Sequence, residues 1–221
     1  MPSDPQGRGS HWAGVVAASR ETPPNPTSDF LDAKINLGYA LQATGDRDGA
    51  VAAWRDALCA WETQRLRNDI GSREYFAAAH LLASCGDKRF SDPRRAIDLA
   101  MTAVRLARTR PLDPLHDSLA KLAIGQAYYQ MGDWEAAATV AETLPSAHLD
   151  DRYRYVEGWL LYALVLSRTG KADQARPWHA KAVDWLDRTR CRDPLLCRMR
   201  AEADGLLGAP NAPTPQAGSR P

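Results

Sequence analysis

The chain contains four segments in which small residues recur with the same spacing. In the first and third segments, a Gly and an Ala are followed by a Gly-Asp pair and then by further residues at matching offsets. These positions are Gly38, Ala40, Gly45, Asp46, Ala50, Trp54 and Ala57 in the first segment, and Gly125, Ala127, Gly132, Asp133, Ala137, Ala141 and Leu144 in the third. Such internal repetition indicates a stack of similar units, because a unit of this size cannot bury its apolar face alone.

The other two segments keep the same order of residues. The fourth contains Tyr162, Ala163, Leu166, Gly170, Ala175, His179 and Ala182. The second contains Ala78, Ala79, Leu82, Gly86 and Asp87. Its next small residue, Ala96, comes late, which predicts an inserted loop at 88–92. We expect Asp92 to be the N-cap of the following helix and Pro93 its first residue, where a missing N–H costs nothing.

Apolar residues recur every three or four positions between residues 29 and 208, without a useful period-two alternation, so the chain is predicted to be all-α. Gly and Pro interrupt the pattern often, which favours short, paired helices. We predict about four helix pairs and a C-terminal capping helix. The boundaries are 1–28 for a mostly disordered tail, 29–208 for the solenoid with repeats at 30–64, 72–110, 115–148 and 152–189 and a cap at 193–208, and 209–221 for a disordered C-terminal tail.

The same types of residue also follow one another in the same order in each segment. A first stretch carries Leu-Gly and a Tyr or similar residue, a Gly ends it, and a second stretch carries Ala, an aromatic residue and Ala. This order resembles the tetratricopeptide repeat over residues 30–186. The resemblance implies a right-handed superhelix of α-hairpins that binds another protein or a peptide. Ala141 and His179 depart from the pattern, because an aromatic residue is expected at both positions.

Further stretches resemble a narrower, bacterial repeat type, which occurs in planctomycetes C-terminal to serine/threonine kinases and WD-repeat proteins. They are 81–100, 132–134 and 175–179, and the closing stretch 193–208 fits the same type as a terminal cap. This second resemblance implies an alternative function, in which the chain is the detached regulatory module of a multidomain signalling protein.

In a tetratricopeptide superhelix the first helix of each pair lines a concave groove, which the resemblance places at eight residues here. They are Tyr39, Gln42, Phe76, His80, Gln126, Tyr129, Leu160 and Leu164. Aromatic residues offer a partner apolar area at low entropic cost, and the glutamines offer hydrogen bonds to a peptide backbone. The alternative is that some of these residues only pack between repeats. The set lacks the Lys, Asn and Arg with which chaperone-binding members of the family hold a C-terminal carboxylate, so that mode is disfavoured.

Charge and hydropathy argue against several classes of partner. The 28 Lys and Arg residues nearly balance the 27 Asp and Glu residues, so no overall field recruits nucleic acid or an anionic membrane. The longest uncharged run in the repeats, residues 75–86, is far shorter than the roughly 20 residues of a membrane span. Residues 1–10 lack the pattern of a signal peptide, so we expect a cytoplasmic protein. Self-association remains open.

The sequence contains no catalytic or metal-binding motif that we recognise. Phosphate-binding glycine loops, HExxH, GxSxG and kinase signatures are missing, and Cys59, Cys85, Cys191 and Cys197 form no CxxC pair. We therefore expect no enzymatic activity, no cofactor, no metal and reduced thiols, with a Cys191–Cys197 disulfide as the alternative for that pair. A small enzyme is a third class of function, and it would need a deep polar pocket.

Aromatic and basic residues outside the predicted groove have structural explanations. Spacing favours packing between helices for Trp54, Trp61, Trp159, Trp178 and Trp185. A solvated helix face, or contact with an acidic partner, explains Arg94, Arg95, Arg105, Arg108 and Arg110. On the capping helix, exposed charge that keeps the end of a solenoid soluble is expected of Arg192, Arg198 and Arg200.

Overall fold

A computed structural model of the protein describes residues 28–67, 71–107, 114–144 and 152–208. Within these ranges there are nine α-helices and no strand, which confirms the predicted all-α class. They are α1 (Ser28–Ala43), α2 (Arg47–Leu66), α3 (Ser72–Ser84), α4 (Pro93–Ala107), α5 (Pro114–Met131), α6 (Trp134–Ala141), α7 (Arg152–Arg168), α8 (Ala172–Thr189) and α9 (Pro194–Leu207). The two predicted tails lie outside the described residues, apart from Ser28, which begins α1.

Consecutive helices pack as pairs, and the pairs stack in chain order. The pairs are α1 with α2, α3 with α4, α5 with α6 and α7 with α8. The first helices of neighbouring pairs also touch, α1 with α3, α3 with α5 and α5 with α7. This packing is consistent with the predicted tetratricopeptide-like α-solenoid.

The predicted turn glycines follow the first helix of each pair and adopt a left-handed backbone. Their φ angles are +91° at Gly45, +69° at Gly86, +77° at Gly132 and +77° at Gly170. Any other residue would be strained there, so glycine fixes where each pair turns. The next helix is then capped by aspartate in two pairs, since Asp46 accepts from the Gly49 N–H at 2.8 Å and Asp133 from the Ala136 N–H at 3.1 Å.

Small residues let the paired helices approach closely, as the spacing predicts. A Cβ atom added at Gly38 of α1 would lie 2.1 Å from Nε1 of Trp54 in α2. Trp54 is fully buried, and its Nε1 donates to the Ile35 carbonyl at 3.3 Å. The alanines of the second helices are buried as well: Ala50, Ala57, Ala137, Ala141, Ala175 and Ala182. The tryptophans pack between helices, with Trp54 and Trp61 buried and Trp159, Trp178 and Trp185 partly buried.

The predicted inserted loop precedes α4 and is held against the end of α3. Asp92 accepts from the Arg95 N–H at 3.0 Å, and Pro93 is the first residue of α4. The Ser91 hydroxyl donates to the Leu82 carbonyl at 3.1 Å. The first hydrogen bond caps α4, and the second fixes the loop beside α3.

The last helix, α9, packs at both ends of the stack. It contacts α7 and α8, as a capping helix does, and it also contacts α1. Its apolar residues Leu195, Leu196, Met199, Ala203 and Leu207 are buried. The side of the stack formed by α1, α3, α5 and α7 and turned toward α9 is called the concave face below.

Candidate functional site

The eight residues predicted to form a groove all lie on the helices of the concave face, two on each. Tyr39, Phe76, Gln126, Leu160 and Leu164 are buried, whereas Gln42, His80 and Tyr129 are partly exposed. The protein's own side chains and α9 therefore cover most of this surface. Each of the polar residues in the set has a hydrogen-bond partner within the chain.

A buried carboxylate joins three of the first helices at the centre of the concave face. Glu157 of α7 is fully buried, and its Oε1 lies 2.6 Å from His80 Nε2 of α3. The same oxygen accepts from Gln126 Nε2 of α5 at 2.5 Å. A buried carboxylate needs such hydrogen bonds to offset the loss of its hydration. His80 and Gln126 thus serve first as partners of Glu157, a residue that the sequence analysis did not single out.

Tyr39 belongs to the contact between the first and second pairs. Its hydroxyl is hydrogen-bonded to the Ser84 hydroxyl at the end of α3, and its ring lies edge-on to Trp54 with 5.6 Å between centroids. Burial raises the pKa of the Tyr39 phenol well above its ordinary value. Tyr39 therefore remains neutral and acts as a packing residue in this state.

Arg198 of α9 reaches the ends of α1 and α3. Its Nη1 donates to Gln42 Oε1 and to the Cys85 carbonyl, both at 2.9 Å, and its Nη2 donates to the Ser84 carbonyl. Ser84 is the last residue of α3, where unpaired carbonyls concentrate partial negative charge. Arg198 is only partly exposed, so the prediction that it is a solubilising surface charge is wrong, because α9 turns this side chain toward the stack.

Glu202 lies one helical turn after Arg198 and is held by the third and fourth pairs. The Tyr129 hydroxyl donates to Glu202 Oε1 at 2.6 Å, and Arg168 Nη2 donates to the same oxygen at 3.1 Å. Burial, together with the neighbouring Glu202 carboxylate, raises the pKa of Tyr129 well above its ordinary value. Tyr129 is therefore a hydrogen-bond donor to α9 at neutral pH.

A cavity remains between α9 and the concave face. Its volume is about 460 Å³, within the range of small-ligand sites. Residues that line it include Gln126, Tyr129, Leu164, Arg198, Met199 and Glu202. A helix the length of α9, 14 residues, is about 21 Å long and about 10 Å wide, and so needs several times this volume. With α9 in place, the cavity can admit a few side chains but not a further helix.

A metal site, a disulfide and a membrane span each require a particular arrangement among the described residues. No group of three or more His, Cys, Asp and Glu side chains in those ranges is placed to hold a metal ion. The four cysteines are free thiols, and burial raises the pKa of Cys85 to about 11. Among the helices described, none is long and apolar enough to cross a membrane.

Arg198, Glu202 and Glu157 are the functional candidates that sequence reasoning missed or misplaced. Glu157 is the only charged residue between Arg154 and Arg168 of α7, which is a weak signal of a buried acid. The spacing of Arg198 and Glu202, with Leu195 and Met199 on the same face, marks an amphipathic helix, but a single helix does not show where that face will dock.

Comparison with protein-family models gives a match to the first helix pair. No curated protein matches the chain. Residues 30–63, which fall within α1 and α2, match the family model of the tetratricopeptide repeat. Because this first pair is followed by three more helix pairs packed in the same way, the match supports the description of the chain as a tetratricopeptide-repeat protein.

Proposed function

We propose that this protein is an interaction scaffold that binds a partner protein or peptide on its concave face and catalyses no reaction. The tetratricopeptide match supports a protein–protein interaction module in general terms. The observation that supports the concave face in particular is that this face already holds a helix, α9, through Arg198 and Glu202. A surface that binds one helix by charged side chains has the shape and polarity to bind another.

The eight predicted residues have different roles in this proposal. Tyr39, Phe76 and Leu160 are buried and support the face from beneath, so their replacement would test folding rather than binding. Gln42 and Tyr129 are the polar residues that contact α9 directly, and they are the ones we expect to contact a partner.

Affinity capture from the native host, followed by mass spectrometry, tests the proposal. Tyr129→Ala should reduce recovery of the specific partner at least about tenfold, because a tyrosine at the centre of an interface often dominates its binding energy. Tyr162→Ala is the matched control, since Tyr162 lies on α7 beside Trp178 and is not among the residues that line the cavity. Circular dichroism establishes that both variants are folded. Equal recovery by the wild type and both folded variants would rule out the concave face as the binding site.

A second candidate function is regulation within a larger signalling system, as the module of a serine/threonine kinase. The stretch 81–100 favours it, since this stretch carries the resemblance to repeats that follow kinases. A kinase or WD-repeat reading frame immediately upstream in the genome would support this candidate, and an unrelated neighbourhood would count against it.

A further inference from the structure

We infer that the partner on the concave face is an amphipathic helix that replaces α9 and carries Arg and Glu four residues apart, with large apolar residues beside them. This inference rests on the proposed function and names the chemistry of the partner. It follows from how α9 is attached, from the shape of the Arg198 site and from the cavity that α9 leaves.

α9 is attached through two different faces. Leu195, Arg198, Met199 and Glu202 follow the three- and four-residue spacing of one helical face and line the cavity. The opposite side is held to α8 by an ion pair of 2.6 Å between Arg200 and Asp187, and by Arg176 donating to the Leu207 carbonyl at 3.1 Å. The contacts to α8 can therefore persist in part when the first face leaves the concave side.

The Arg198 site is built for a guanidinium. Its acceptors are one amide oxygen and two carbonyls, arranged around a group that donates through both terminal nitrogens. A Cβ atom added at Gly86 would lie 2.5 Å from Arg198 Nη1, so glycine leaves the space that the guanidinium fills. A lysine ammonium is a point charge without this planar fork and fits the three acceptors less well. A replacing helix thus needs arginine here.

A second polar position lies one turn further along the helix. Tyr129 and Arg168 both donate to the Glu202 carboxylate, and the Arg168 guanidinium also lies over the Trp134 ring at 5.5 Å. Residues four apart on a helix are neighbours about 6 Å apart. The concave face therefore selects an arginine followed, four residues later, by a carboxylate.

The cavity gives a partner helix an advantage over α9. An attached helix competes at an effective concentration in the millimolar range, so a separate helix must make better contacts to replace it. Leu195 and Met199 are buried and form part of one wall of the cavity of about 460 Å³. Larger side chains at these two positions would extend into the cavity and bury their additional apolar area there.

Synthetic peptides of residues 193–208 test the inference on the full-length protein. All carry Cys197→Ser and a fluorophore; one has no other change, one adds Met199→Phe, and one adds Met199→Phe with Arg198→Ala. Each is titrated by fluorescence anisotropy into wild-type protein, the Arg198→Ala variant and the control Arg192→Ala, which removes an exposed arginine outside the peptide region.

We expect the Met199→Phe peptide to bind the Arg198→Ala protein at least about tenfold more tightly than the wild type, because its own α9 no longer donates to three acceptors. The affinity of the peptide without arginine should be at least about tenfold lower. The Arg192→Ala protein should bind each peptide with the same affinity as the wild type. Equal binding of peptides with and without arginine, or equal binding by wild-type and Arg198→Ala proteins, would overturn the inference.

Hydrogen exchange on the wild type supplies a second measurement that needs no variant protein. At saturating Met199→Phe peptide, deuterium uptake should rise in α9 and stay unchanged in α2. Unchanged protection of α9 would refute its replacement by the peptide. The inference would also be refuted if the wild-type protein were a dimer that the Arg198→Ala substitution dissociates, because a second copy of the chain would then occupy the concave face. If the peptides fail while partner capture still depends on Tyr129, the proposed function stands and only the helix replacement is lost.

Discussion

The guanidinium of Arg198 donates to the carbonyl oxygen of Cys85, and this hydrogen bond joins the last helix of the stack to the second pair. The two residues are far apart in the chain, since Cys85 follows α3 in the second pair and Arg198 lies in the capping helix. Their contact means that the concave face of an isolated molecule is not an empty surface. Under the proposed function, a partner that binds there has to compete with α9.

The stability of the fold should depend on Arg198. Replacing Arg198 by alanine removes all its hydrogen bonds to α1 and α3, and leaves the carbonyls at the end of α3 without their cation. We expect the free energy of unfolding to fall by about 2 kcal/mol in urea titrations. Arg192→Ala should change it by less than about 0.5 kcal/mol, as exposed substitutions do. A loss of similar size in both variants would contradict the role assigned to Arg198.

Two substitutions of glycines within helices should have opposite effects on the free energy of unfolding. Gly38→Ala places a Cβ 2.1 Å from buried Trp54 and should lower the free energy of unfolding by about 3 kcal/mol. Gly205→Ala meets nothing within 4 Å and should raise it by about 0.5 to 1 kcal/mol through helix propensity. Thermal unfolding of the two variants checks both predictions. Comparable stability of Gly38→Ala and wild type would refute close packing between α1 and α2.

Asp87 should contribute to stability only above a certain pH. Hydrogen bonds from Arg89 lower the pKa of the Asp87 carboxyl from 3.8 to about 2. A group whose folded pKa is depressed stabilises the fold above its unfolded pKa and loses that contribution as the pH falls toward the folded value. The difference in unfolding free energy between wild type and Asp87→Asn should therefore be constant above about pH 5 and shrink between about pH 4 and pH 2.

Arg89→Ala is the control for this pH effect, since it removes the side-chain hydrogen bonds that are the largest cause of the shift, while the backbone N–H of residue 89 still donates to Asp87 Oδ1. In that background, the pH-dependent difference that Asp87→Asn produces in the acid range should be smaller. An unchanged difference would show that the Arg89 side chain does not cause the shift.

The thiols should differ strongly in reactivity. Burial raises the pKa of Cys85 to about 11, and the thiolate is the reactive form. Cys59 is exposed, so a thiol reagent at pH 8 should modify it in the native protein while Cys85 reacts only after unfolding. Mass spectrometry of proteolytic peptides, taken at several times of labelling, checks the order in which the thiols react. Rapid native labelling of Cys85 would show that the end of α3 opens readily.

The local features of the fold could be predicted from sequence because each depends on neighbouring residues. Gly45 and Gly132 turn the chain, and Asp46 and Asp133 cap the helices that follow, through contacts within a few positions. The small residues at Gly38 and Ala50 likewise act on the adjacent helix of their own pair.

The hydrogen bonds on the concave face could not be predicted in this way. Glu157 meets His80 from a different pair, and Arg198 meets Gln42 across nearly the whole stack. Such contacts depend on the curvature of the stack, which is the sum of small rotations between successive pairs. The sequence of a single repeat does not determine this sum. The same curvature brings α9 over residues that the repeat pattern alone leaves open.

The contact between α1 and α9 also bears on how the molecule comes apart. Linear repeat arrays fray from their termini, because a terminal unit has only one neighbour to lose. Here the first and last of the described helices contact each other, so we expect neither to fray as a free end. The expected consequence is an all-or-none melting transition in which the N-terminal and C-terminal pairs lose structure at the same temperature.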